Sequence, residues 1–217
     1  MKELKVIVTA GGSSSRFGSS NKLLSLIKNK PVIKYSVDLF TDMGFEIVIP
    51  ANKSAMYDYE LLFKEYNNVK IIEGGSTRQQ SVRFALQTLD NCSYVLIHDA
   101  ARPLITKDIV KKCIDCAKLY GGAIAGVRTT DTIKQIFPNN KIKGTLNREN
   151  LINVQTPQVF EFEKIKKIHE KYPNGTFTDD SALFETENND VYFVEGNYSN
   201  IKITTPVDIK LAELLLE

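Results

Sequence analysis

The chain has 217 residues, 42% of them hydrophobic and 25% charged, and its 28 basic and 26 acidic side chains leave a net charge of +2. That length suits one domain over residues 1–217, able to bury roughly 70% of its unfolded surface without a disulfide or metal staple. Near-neutral charge argues against a coat for nucleic acid, no apolar window reaches the ~18 residues of a membrane span, and no signal peptide opens the chain, so a cytoplasmic protein is expected.

Strand and helix signals alternate along the chain. Residues 4–8 (LKVIV) form a short apolar run followed by a Gly/Ser-rich loop at 11–15. Residues 31–43 predict a helix, because Pro31 suits a first helical position, Ile33, Val37 and Phe40 form a stripe, and Gly44 is a stop. Residues 45–50 (FEIVIP) and 69–72 predict two more strands, the second broken by Gly74 and Gly75. A helix over 77–89 leads to a strand at 94–97 (YVLI) that ends at His98 and Asp99. The next helix, 107–120, places Ile109, Val110, Cys113, Cys116 and Ala117 near one face, and a strand near 123–127 follows. Cys113 and Cys116 have CxxC spacing, but neither Cys92 nor the two histidines supply a second ligand pair nearby, so both read as core residues.

Short strands apolar on both faces, alternating with amphipathic helices, predict an α/β fold with a mostly parallel sheet flanked by helices on both sides. Ligands of such sheets bind beyond the carboxyl ends of the strands, here the loops after Val8, Ile72, Ile97 and Val127. One segment breaks the alternation. Residues 132–137 and 141–146 flank Pro138-Asn139-Asn140 and predict a protruding β-hairpin, an arm at about 132–150 whose simplest cover is a second subunit.

The first strand-end loop reads Ala10-Gly11-Gly12-Ser13-Ser14-Ser15-Arg16-Phe17-Gly18, with Lys22 soon after. Small residues there let backbone N–H groups approach an anion that Arg16 and Lys22 would neutralise. It is neither a P-loop nor the GxGxxG of dinucleotide sites. At the next strand end, Gly74 and Gly75 permit close approach to a flat ligand that Arg78 and Ser81 can hydrogen-bond. His98-Asp99-Ala100-Ala101-Arg102-Pro103 puts Asp99 where it can hold a ribose hydroxyl or a magnesium ion, with a cap or an Arg102 ion pair as the plainer alternative. His98 reads as a packed residue rather than a base. Further along stand Thr130-Asp131-Thr132-Ile133-Lys134, Arg148, and Gln155-Thr156-Pro157-Gln158. Thr178-Asp179-Asp180 fits the start of a helix over 181–185, and Lys202 falls in a strand-like run at 200–204.

Together, HDAARP at 98–103, DTIK at 131–134, QTPQ at 155–158 and NIKIT at 200–204 resemble the nucleotidylyltransferases of sugar and polyol phosphates, and within them the 2-C-methyl-D-erythritol 4-phosphate cytidylyltransferases. The matched positions run from Ala10 to Pro206. The resemblance implies a Rossmann-like domain whose β-arm builds a homodimer. It also implies a reaction in which CTP and methylerythritol phosphate give CDP-methylerythritol and pyrophosphate with Mg²⁺. It makes Arg16, Lys22, Arg148 and Lys202 the catalytic cations. Ala10, Gly11, Gly12, Gly75, Ser81, Asp99 and Ala100 would bind CTP, with Asp99 also at the metal. Arg102, Thr132 and Thr156 would meet the polyol phosphate, and Thr132 and Arg148 would come from the neighbouring subunit. The lack of a Ser/His/Asp or Cys/His pairing fits, since an ionised phosphate needs no general base.

The chain departs from that pattern in its first loop: Ser13-Ser14-Ser15 stand where another glycine is common, Phe17 where Met is usual, and Asn21 where a proline often precedes the lysine. The ribitol 5-phosphate cytidylyltransferases share the fold and the CTP chemistry; Ala101 and the Ser81-Val82 pair favour the methylerythritol enzymes. A non-catalytic nucleotide-binding module on the same fold is the rival from another class.

Overall fold

The structure is a computed structural model and describes residues 3–11, 21–175 and 177–216. Gly12 and Arg16 of the first loop lie outside the described residues. In chain order the elements are β1 (Leu4–Thr9), β2 (Leu26–Ile27), β3 (Lys30–Pro31), α1 (Val32–Asp42), β4 (Glu46–Ala51), α2 (Met56–Leu62), β5 (Val69–Glu73), α3 (Arg78–Thr88) and β6 (Tyr94–Asp99). There follow α4 (Lys107–Tyr120), β7 (Gly122–Arg128), β8 (Lys134–Ile136), β9 (Ile142–Thr145), β10 (Ile152–Glu161), α5 (Phe162–Lys171), α6 (Asp180–Glu185), β11 (Tyr192–Glu195) and α7 (Pro206–Leu215).

Among the described residues, seven strands form one sheet in the order β11-β7-β10-β6-β1-β4-β5. β1 runs parallel to β4 and β6, β4 to β5, and β11 to β7. Only β10 is reversed, antiparallel to both β6 and β7. This strand was not expected from the sequence, because its middle reads Gln155-Thr156-Pro157-Gln158 and a proline argues against a central strand. The ladder to β7 shifts register between Val154 and Gln158, and this irregularity is where Pro157 is accommodated.

Alternate side chains divide the strands between two cores, as a period of two requires. Val6 and Val8 of β1, Ile47 and Ile49 of β4 and Leu96 of β6 face one core with α1 and α4. Ile7, Val48, Val95 and Ile97 face the other with α3, α5 and α6. The parity continues past Ile97: Asp99 shares the face of the second core, while His98 turns to the first and meets the Phe40 ring edge-on at 5.4 Å.

Helix boundaries follow local chemistry. Pro31 lies just ahead of α1, whose Val32, Ile33, Ser36, Val37 and Phe40 are buried. The Thr77 side chain caps α3, Thr106 caps α4, and Asp179 caps α6. Cys113 is buried and Cys116 half-buried against the core, and burial pushes the Cys113 thiol up to about 12, as suits a packed rather than a reactive cysteine. The expected hairpin is present as the β8–β9 ribbon, outside the main sheet. Residues 200–204 correct another expectation. They are not a strand: the segment lies beside residue 101, bonded there through the Ile203 N–H to the Ala101 carbonyl at 2.7 Å, and is not paired into the sheet.

Candidate active site

A cleft of about 400 Å³ opens beyond the carboxyl end of β6, between β10, the start of α6 and the 200–204 segment. Asp99 and Arg102 of the 98–103 motif, Thr156 and Lys202, drawn from three distant stretches of the sequence, line it together with Arg78. Asp99 is the hub. Its Oδ2 accepts from Lys202 Nζ at 2.6 Å, and its Oδ1 accepts from Arg78 Nε at 3.1 Å and from the Thr9 hydroxyl at 3.2 Å. Burial opposes ionisation of this carboxyl, but Arg78, Lys202 and Arg102 override it and hold the group well below the usual carboxylate range.

Arg102 is different in kind. Its Nη1 donates to the Asn200 carbonyl at 2.7 Å and Nη2 to the Val154 carbonyl at 3.4 Å. Among the described residues it makes no salt bridge, and its buried Nε has no partner. An arginine met by neutral carbonyls keeps its charge for an incoming anion. Burial lowers its pKa, with Asp99 opposing that effect.

Beneath the cleft, His98 is buried and tied at both nitrogens. Its Nε2 must donate to the Arg102 carbonyl, 3.1 Å away, because a carbonyl can only accept. Nδ1 is then the acceptor for the Thr156 hydroxyl at 3.1 Å, which in turn accepts from the Asp99 N–H at 3.0 Å. The chain of donors is satisfied only with a neutral ring. Burial pushes the His98 pKa down to about 4 from the ordinary 6.5.

The sign of the pH dependence follows. Between 6.5 and about 4 the unfolded chain binds a proton at His98 that the folded chain does not, so stability falls as pH drops through this window. The full loss is about 3 kcal/mol. Asp99 and Asp180, both held below the ordinary 3.8, add their own losses only at lower pH. Urea midpoints measured from pH 7 to 4.5 are expected to fall steadily, and His98→Gln to flatten that slope. An unchanged slope in the variant would contradict the assignment.

The small-residue loops adjoin this cleft through Thr9. Ala10 bridges to Ala51 beside the sheet, and the Ala100 N–H donates to the Thr9 carbonyl at 3.1 Å with its side chain buried. Ser81 Oγ accepts from the Gly75 N–H at 3.0 Å and donates to the Thr77 carbonyl at 2.9 Å. A Cβ on Gly11 would stand 2.8 Å from that same oxygen, and one on Gly75 would overlap Gln80, so both positions require glycine. Gly11, Gly75 and Ser81 therefore form one cradle.

Lys22 follows this loop, half-buried, in a turn whose neighbours are anchored. The Asn21 side chain accepts from the Leu23 N–H at 3.1 Å and donates to the Tyr59 hydroxyl at 3.0 Å, while Leu23 is buried in the core. This Asx turn stiffens the backbone where a proline was absent. Thr132 and Arg148 are not among the residues lining the cleft. Both are exposed, with Arg148 Nη1 donating to the Thr130 carbonyl at 2.7 Å.

Asp180 is more than a cap. Asp179 does the capping, accepting from the Ala182 N–H at 2.9 Å, which leaves Asp180 to accept from Arg78 Nη1 at 2.7 Å. Two acids in a row at one helix start were the available signal. No group of three or more His, Cys, Asp or Glu that could hold a metal occurs among the described residues. Asp99 uses three of a carboxylate's roughly four acceptor sites on Arg78, Thr9 and Lys202, so it can offer a metal one bond. That donor set fits Mg²⁺ carried largely by substrate phosphates rather than by a protein cage.

The comparisons with known proteins bear on this geometry. The profile of the IspD family, 2-C-methyl-D-erythritol 4-phosphate cytidylyltransferase, matches residues 4–217. The chain belongs to this family. Its relatives include the 2-C-methyl-D-erythritol 4-phosphate cytidylyltransferases of Dehalococcoides mccartyi, 38% identical over 100% of this chain and 97% of the relative, and of Caldanaerobacter subterraneus subsp. tengcongensis, 44% identical over 97% of each. Among solved structures, the 4-diphosphocytidyl-2C-methyl-D-erythritol synthase of Anaerococcus prevotii superposes with a TM-score of 0.88 at 30% identity, covering 99% of this chain and 98% of that one. The α/β fold and the recognised family thus agree with the sequence reading.

Proposed function

We propose that the chain transfers the cytidylyl group of CTP to 2-C-methyl-D-erythritol 4-phosphate, giving CDP-methylerythritol and pyrophosphate for isoprenoid precursor synthesis. The observation that carries the reading is the cleft in which Asp99 lies between Arg78 and Lys202 with Arg102 beside it, in a chain of this family. A phosphate monoester loses its second proton near pH 6, so it arrives already ionised. Its oxygen attacks the α-phosphorus, the bond to the bridging oxygen breaks, and pyrophosphate leaves with the electron pair. The barrier is repulsion between anions and charge growth at phosphorus, so positioned cations do the work.

In this reading Arg16 and Lys22 grip the triphosphate, and Ala10, Gly11, Gly12, Gly75, Ser81 and Ala100 shape the cytidine pocket. Asp99 serves the ribose, while Arg102, Thr156 and Lys202 receive the polyol phosphate. Mg²⁺, when bound, supplies further neutralisation of the triphosphate, and Asp99 would hold it. No helix among the described residues is long and apolar enough to cross a membrane, and the reading goes with a cytoplasmic enzyme. Pyrophosphate release with CTP and each polyol phosphate tests it. Turnover on methylerythritol phosphate is expected; activity on ribitol 5-phosphate and not on methylerythritol phosphate would overturn it.

The hairpin extends the reading to a homodimer. Ile136, Phe137, Ile142 and Leu146 are exposed on it, and Thr132 and Arg148 would reach the neighbour's cleft. Arg148→Ala and Lys202→Ala are each expected to be nearly inactive. Mixed as refolded subunits they should regain about a quarter of wild-type activity, because half the dimers are hybrid and each hybrid has one intact site. Failure to regain any, with dimers demonstrated by sedimentation, would remove Arg148 from the neighbour's site.

A further inference from the structure

The charged line of the cleft continues into the interior. Arg78 Nε holds Asp99 while its Nη1 holds Asp180 Oδ2 at 2.7 Å, and Asp180 Oδ1 accepts from His169 Nε2 at 3.1 Å. The Asp180 N–H donates to Gln158 Oε1 at 3.2 Å, so backbone and carboxylate are both fixed. Asp180 is 1% exposed and His169 0%, so neither reaches a substrate.

We infer that Asp180, oriented by His169, is a positioning residue that acts through Arg78 to fix the Asp99 carboxylate in the cleft. A guanidinium is planar, so bonds at two of its nitrogens set its plane, whereas the Asp99 contact by itself would let it pivot. Asp180 also carries part of the counter-charge of Arg78. Burial opposes the ionised form of Asp180, but Arg78 and His169 hold its carboxyl below the ordinary range, so the charge is present. The imidazole is the telling part. His169 Nδ1 is buried with no partner among the described residues, a cost that an apolar side chain of similar size would avoid. Packing therefore does not account for a histidine here, while the Nε2 bond to Asp180 does.

The inference rests on the proposed cytidylyl transfer, and wild-type turnover tests that reading separately. The full-length variants Asp180→Asn, His169→Gln, His169→Leu, Arg78→Gln and the Arg78→Gln/Asp180→Asn pair are to be assayed with CTP and methylerythritol phosphate. Asp180→Asn is expected to lower kcat on the order of 10²-fold, from misplacement of the site. The double variant should be no slower than Arg78→Gln, within about threefold, because Asp180 acts only through Arg78. His169→Gln, which keeps a donor, should stay near wild type where folded His169→Leu loses about tenfold. The last pair decides the matter if Asp180→Asn does not fold. Folded His169→Leu with wild-type kcat, or effects of Arg78→Gln and Asp180→Asn that multiply, would overturn the inference.

Discussion

Lys22→Ala is expected to slow pyrophosphate release on the order of 10³-fold, the scale set by a single cation placed on a transferring phosphoryl group. The reasoning starts from the turn rather than from the lysine. Asn21 is tied to the Tyr59 hydroxyl and to the Leu23 N–H, and Leu23 is sunk in the core. Burial raises the Tyr59 pKa to about 12, so its hydroxyl keeps its proton across the working range. Truncating the side chain between these two anchors leaves both intact, so the variant should remain folded, with the circular dichroism spectrum of wild type. Lys22→Arg should recover only part of the rate, because a broad fork does not replace a compact ammonium. Wild-type pyrophosphate release by the folded alanine variant would remove Lys22 from the reaction.

Lys202→Ala carries the second large effect, a fall in kcat/KM of about 10²- to 10³-fold. Here the backbone is held independently of the side chain. The Ile203 N–H is bonded to the Ala101 carbonyl, and the Asn200 carbonyl accepts from Arg102. With the lysine gone, Asp99 remains bound to Arg78 and Thr9 but loses the partner that lies 2.6 Å away. Its negative charge then faces the cleft less compensated, so an incoming dianion meets repulsion as well as the loss of a donor. The KM for the polyol phosphate should rise far more than the KM for CTP. A larger rise in the KM for CTP would show that Lys202 serves the nucleotide instead.

The strands whose apolar runs are short and flanked by turns were legible in the sequence, and so was the exposed hairpin around Pro138. Asp99 was legible too, because a carboxylate that closes an apolar strand run stands at the carboxyl end of the sheet, where ligands of such folds bind. β10 was not, since its apolar pair Val159 and Phe160 is preceded by a proline and by polar residues whose side chains serve the cleft: Thr156 receives the Asp99 N–H and Gln158 receives the Asp180 N–H. The Arg78–Asp180 pair spans 102 positions, and no local pattern reports a contact created by the fold. Lys202 looked like a strand residue because alternating Ile201 and Ile203 mimic the period of two. In fact those side chains settle an extended segment against the first core.

The reversed strand has a consequence for the arm. β7 and β10 are neighbours in the sheet, so the chain leaves for the hairpin and returns at adjacent points, where the Thr129 N–H closes on the Leu151 carbonyl at 3.3 Å. Residues 130–150 are thus an insert sealed at its base, and its length and sequence can vary at the small cost of a longer closed loop. In the proposed dimer, assembly and folding are therefore separable: a foreign hairpin grafted onto that base, with Thr132 and Arg148 kept, would redirect which copies associate while leaving the two cores as they stand.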